Sequence, residues 1–170
     1  LNQLGDRALI EAHREFLRRE VRRYAAVVVD TDRGRVRSDR FFPSAKDLMR
    51  YHDAAVSTVF VQWLKDQCAR TDGLIEDPLP ALDLRGQLVE RFWTGRFFRN
   101  DAEDDDRAMI SADANVWPYW TGVIDDPRME ASSLQAIVDA GLDDPFPLKY
   151  HRKLDLERVE PIARVMIPNY

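Results

Sequence analysis

From Ala54 to Leu64 the chain reads Ala-Ala-Val-Ser-Thr-Val-Phe-Val-Gln-Trp-Leu, which is apolar on nearly every side of a helix. A helix of that kind is buried on all sides, and no other segment restricts the fold as strongly. The surrounding sequence predicts a long helix from Ser44 to about Arg70. Pro43-Ser44 opens it, Asp47 can return a bond to the Ser44 amide as in a capping box, and Thr71-Asp72-Gly73 ends it. In a lone bundle of 170 residues such a helix is unusual. It suits the inner ring of a two-layer helical barrel.

The neighbouring segments fit an alternation of amphipathic and all-apolar helices. From Leu4 to about Arg23 an apolar stripe at Leu9, Ala12, Phe16, Leu17, Val21 and Tyr24 recurs at helical spacing, with Arg and Glu opposite. Ala25 to Ser38 reads as a short β-hairpin around Thr31-Asp32-Arg33-Gly34, or as a helix end followed by one strand. Asp77-Pro78-Leu79-Pro80 is a rigid linker, and a helix follows from Leu82 to Trp93, stopped by Gly95. Ser111 to Gly122 predicts a second inner helix that Pro118 interrupts, and Asp126-Pro127 opens a helix from about Arg128 to Ala140 with Gly141 behind it. Leu142 to Tyr150 is Pro-rich and predicts a loop, and Leu156 to Met166 a short broken helix or an extended approach. The expected class is all-α, an arc of an (α/α)6 toroid with a small β-hairpin, in a single unit over 1–170.

Composition excludes several functions. A net charge of −5 argues against a nucleic-acid partner held by phosphate neutralisation. No apolar run approaches the roughly 18 residues of a membrane span, so no membrane partner is expected. Cys68 is the sole cysteine, which rules out an internal disulfide and a thiolate metal cluster. There is no Gly-rich phosphate loop, no Gly-x-Ser-x-Gly elbow and no His pair at i,i+4. His13, His52 and His151 are far apart, so neither metal nor cofactor is expected. Asp30-x-Asp32-x-Gly34 faintly echoes a calcium loop, but Phe41 stands where the loop needs its glutamate. The acidic run from Asp101 to Asp106 reads as a solvated loop, with a structural cation as the alternative. The chain starts at Leu1 without a signal-like segment and ends on an apolar Ile167-Pro168-Asn169-Tyr170. The expectation is a piece of a longer cytoplasmic protein, its apolar helix surface covered by the remainder of the parent chain or by a partner.

Chemistry concentrates where aromatics meet carboxylates. All four tryptophans lie between Trp63 and Trp120. Indole stacks on the apolar faces of sugar rings, while Asp, Asn and Arg bond their hydroxyl edges. Trp63 and Trp93 serve either as core fillers or as walls of such a cleft. Trp117 and Trp120 share one helical face, with Asp113 four residues before Trp117. Asp53 opens the all-apolar stretch, where desolvation would raise its pKa towards the range of a general acid. A polar residue in a helix's first turns, solvated or paired with a nearby arginine such as Arg50, is the other reading.

These segments resemble the six-hairpin glycosidases, the (α/α)6-barrel group of trehalase, processing α-glucosidase, glucoamylase and amylo-α-1,6-glucosidase. Ala112-Asp113-Ala114-Asn115-Val116 is similar to the family's Val-Asp-Leu-Asn-Ala segment. Arg50-Tyr51-His52-Asp53-Ala54-Ala55-Val56-Ser57 occupies the place of its Glu-Ser-Gly-x-Asp-x-Ser segment, although Arg50-Tyr51-His52 replaces the Glu-Ser-Gly triplet. The resemblance covers Ser44 to Tyr170. It implies an inverting hydrolase of α-glucosides or α-glucan, in which one carboxylic acid protonates the leaving oxygen and a carboxylate across the ring activates water. Asp53 would be the acid, Asp113 and Asn115 would hold sugar hydroxyls, and Trp93, Trp117 and Trp120 would form stacking walls. The base is expected beyond Tyr170, so this piece would be inactive alone. Sugar epimerases and glycoside phosphorylases share the barrel and keep those reactions open, as does a helical scaffold without an active site.

Overall fold

The computed structural model describes residues 7–37, 54–102 and 110–144. Among them the chain is mostly helical, with six helices and one small antiparallel sheet. The N-terminal stripe forms two helices, α1 (Arg7–Ala12) and α2 (Arg14–Val28), parted at His13. Of the two readings of the run from Ala25, the structure combines both: α2 continues to Val28 as a helix end, and β1 (Val29–Asp30) then pairs with β2 (Arg35–Val36) in a short hairpin. The apolar stripe Leu17, Val21, Tyr24, Val28 keeps helical spacing to the end, and burying that stripe outweighs the weak strand preference of valine. Asp30 Oδ1 accepts the Arg33 amide at 3.1 Å in the turn, and Gly34 takes the positive φ of 60° that closes it.

Helix α3 (Ala55–Ala69) follows Ala54. The predicted start over 44–53 lies outside the described residues. Ala55 to Val59 and Val61 are buried, as an inner helix requires, but Phe60 is only half-buried and Trp63 is exposed. One edge of α3 is therefore open. Helix α4 (Leu84–Phe92) is capped by Asp83, whose carboxylate accepts the Gly86 amide at 2.8 Å. Helix α5 (Ala112–Trp120) is capped by Ser111 and runs through Pro118 without a break. The proline sits in the last turn and removes only the bond to the Ala114 carbonyl. Helix α6 (Pro127–Asp139) starts on the Asp126 cap with proline at its first position and ends before Gly141.

Helices α3 and α5 lie side by side, α4 packs on α3, and α6 packs on α5. Ala55, Val56, Val59, Leu88, Phe92, Phe98 and Ala114 form the shared core. The hairpin closes a second cluster with Val61 and Leu84, and Ile10 of α1 reaches Cys68 and Ile75 at the far end of α3. Lys65 on α3 is buried, donates to the carbonyls of Leu79 and Leu82, and stands 3.4 Å from Asp77. It thereby ties the Pro-rich linker down. No described helix is long and apolar enough to cross a membrane. The part of the predicted loop and C-terminal element from 145 onward lies outside the described residues.

Candidate functional site

The open edge of α3 meets α5. On α5, Asp113, Trp117 and Trp120 follow one another at spacings of four and three and form one stripe. The Phe60 and Trp117 rings stand 5.1 Å apart at 54°. Trp120 lies edge-on against Trp117 at 4.8 Å, and Trp63 against Phe60 at 6.2 Å. The four rings form a continuous run, half-buried in the middle and open at its ends, with Trp120 72% and Trp63 37% exposed. Trp63 is thus part of an aromatic edge rather than a core filler. Phe60, unmarked in the sequence, is what joins the two helices' rings. Each contact between such rings contributes about 0.5–1.5 kcal/mol beyond area burial, which favours this arrangement of the exposed indoles.

Trp93 belongs to another aromatic series. It pairs with Phe98 across a backbone bridge, their rings 5.0 Å apart, and Phe98 continues to Tyr119 at 6.2 Å. Tyr119 hydrogen-bonds Ser133 of α6 at 2.8 Å. Burial pushes its phenol up to about 12, opposed by the Ser133 bond and assisted by Glu130 and Asp126.

Asn115 lies on the opposite side of α5 from the Trp117 stripe. Its side chain is wholly buried. Oδ1 accepts the Phe98 amide at 2.7 Å, while Nδ2 donates to the Phe98 and Ser111 carbonyls, each at 2.9 Å. The side chain is engaged with backbone and pins the irregular 97–101 segment to the helix. That segment runs on to a bridge between Asp101 and Ala54, and the Asn100 carbonyl accepts the Ala55 amide at 3.0 Å. Asp101 is 2% exposed, not solvated as the acidic run led one to expect. Ser57 Oγ, in the first turn of α3, is buried with no hydrogen-bond partner among the described residues. The start of α3 is thus a buried polar neighbourhood of Ser57, Asn100, Asp101 and Ser111, where Ser111 Oγ donates to Asn100 Oδ1 at 3.1 Å. Sequence reasoning did not bring these four together, and it read Asp101 as part of a solvated run, since a run of carboxylates hides the one that folds inward. Asp53 immediately precedes this point in the chain and lies outside the described residues.

Cys68 is buried and its thiol is raised, first by desolvation and then by Asp77, so it stays protonated. Among the described residues no group of three or more His, Cys, Asp or Glu side chains converges to hold a metal ion. The chain matches no protein-family model, no curated protein and no solved structure.

Proposed function

We propose that this chain is an arc of an (α/α)6 toroid of the six-hairpin glycosidase type, whose inner helices grip an α-glucoside or α-glucan. One observation carries the reading: Trp63, Phe60, Trp117 and Trp120 make a fixed aromatic edge where two apolar helices meet, with Asp113 on the same stripe. The pairing supports it as well, since α3 and α5 touch each other and each is backed by an amphipathic neighbour. Trp117 and Trp120 stack on the sugar, and Asp113 takes its hydroxyls. Trp93 and Asn115 act one layer behind, holding the 97–101 segment in place. Asp53 protonates the leaving oxygen, and a carboxylate across the ring activates water with inversion.

Titration with linear maltooligosaccharides, read by tryptophan fluorescence, tests this. Saturable quenching lost in Trp117→Ala and Trp120→Ala is expected. In the whole protein, Asp53→Asn abolishes α-glucan hydrolysis while leaving saccharide binding in place. Absence of quenching, or binding that survives both tryptophan substitutions, overturns the saccharide reading. Concentration-dependent self-association through the same residues would instead mark the edge as an interaction surface.

A further inference from the structure

Helices α3 and α5 start beside one another. The Ala55 amide donates to the Asn100 carbonyl at 3.0 Å, and Ser111 Oγ, the cap of α5, donates to Asn100 Oδ1 at 3.1 Å. Phe60 and Trp117, whose rings meet at 5.1 Å, are each the sixth residue of their helix. The two helices therefore run side by side in the same direction and in step. Trp63 and Trp120 each follow three residues later, close to one turn on. They stand at one level on neighbouring helices, both exposed, with the half-buried Phe60–Trp117 pair a turn nearer the helix starts. Packed helix axes are about 8–10 Å apart, which is wider than one pyranose ring.

The ring angles limit what can lie on this edge. Trp120 is turned 71° from Trp117, Trp117 54° from Phe60, and Phe60 61° from Trp63. No two successive rings are near coplanar, so a flat sugar laid on one does not cover the next. A ligand that uses both exposed indoles needs several rings, turned relative to one another. A monosaccharide lacks the reach, and a flat ribbon of β-1,4-linked rings lacks the turn. An α-1,4-linked chain has both, because its rings turn at every linkage. We propose, building on the saccharide reading, that Trp63 is a second stacking platform of the site. The edge then takes a turned chain of linked pyranoses, with one ring against Trp120 and a later one against Trp63.

Calorimetric titration of the full chain with maltose, maltopentaose and cellopentaose tests the assignment, since heat does not depend on which tryptophans remain. Maltopentaose should bind about tenfold more tightly than maltose, the gain of one further stacked ring. Cellopentaose should show no such gain. Trp63→Ala should remove the gain while leaving maltose binding unchanged, and Trp120→Ala should weaken both maltosaccharides. Trp63→Leu keeps apolar bulk without a ring, so it should also lose the gain, and it reports even where the alanine variant does not fold. Equal affinity for maltose and maltopentaose, an equal gain with cellopentaose, or a gain that survives both Trp63 variants overturns the second platform and leaves the saccharide reading standing. Silence towards all three sugars overturns both.

Discussion

Replacing Asn115 by alanine separates two roles that its position in the sequence allows, a saccharide contact and a backbone staple. The Asn115 amide makes three bonds to backbone inside a fully buried site. Alanine leaves the Phe98 amide and carbonyl without those partners in a region that water does not reach. Each orphaned group costs about 1–3 kcal/mol, so two cost about 2–6 kcal/mol. Even the middle of that range is a large share of the roughly 5–15 kcal/mol that holds a domain folded. Asn115→Asp is no remedy, because a carboxylate can still accept from Phe98 but sets acceptors against the Phe98 and Ser111 carbonyls. Urea unfolding followed by circular dichroism measures the loss, expected as a lower midpoint at unchanged slope. At temperatures where the variant remains folded, saccharide quenching should persist. A loss below about 1 kcal/mol, the size of an ordinary substitution, together with abolished quenching, would refute the staple and return Asn115 to the ligand.

Other perturbations have equally definite outcomes. Tyr119 and Tyr24 both have phenols pushed up to about 12 by burial, from 10.0. A raised folded value means the stabilisation is fully present below pH 10 and is lost as pH climbs towards 12, so unfolding free energy should fall across that window. Tyr119→Phe should flatten part of this decline. Asp126→Ala removes the cap that accepts from Arg128 and Met129 and should cost about 1 kcal/mol in a thermal or urea melt. Gly34→Ala meets no clash, since its Cβ would stand 3.7 Å from Leu82, yet the positive φ should cost about 1–2 kcal/mol. Trp120→Ala, which gives up only the edge contact to Trp117 at an exposed position, should cost about 0.5–1.5 kcal/mol while removing saccharide quenching.

What could be read from the residues was local. Helix α6 was legible because its cap, its first-turn proline and its terminal glycine are neighbours in sequence and each has one physical meaning. The Trp117–Trp120 pair was legible from spacing along α5. The joining of that pair to Phe60 was not, because a ring contact between residues 57 positions apart depends on how two helices pack. The staple at Asn115 was hidden for the same reason, as its partner Phe98 lies in an irregular segment without periodicity. The run Val27-Val28-Val29 left two readings open, a hairpin or a helix end with a strand behind it, because valine suits either; the buried stripe of α2 keeps Val27 and Val28 helical, and only Val29 enters β1. Asp101 was misread because charge patterning treats a run of carboxylates as one solvated unit, whereas backbone pairing with Ala54 carries its first member inward.

The kind of ring in the open edge bears on what it meets. A surface meant for a partner helix gains from flexible, adaptable side chains such as methionine. Here Trp120 is set against Trp117, Trp117 against Phe60, and Phe60 against Trp63, so each ring's orientation is fixed by the next. Aromatic side chains offer large contact area with few rotatable bonds, so little entropy is lost when something flat is laid on them. The exposed apolar residues Leu134 and Val138 on α6, by contrast, are aliphatic and one turn apart on a helix that backs α5. That face has the character of a packing surface, and the aromatic edge the character of a rigid wall. The difference weighs for a pyranose ring on the α3–α5 edge and for protein contact on the outer side of α6.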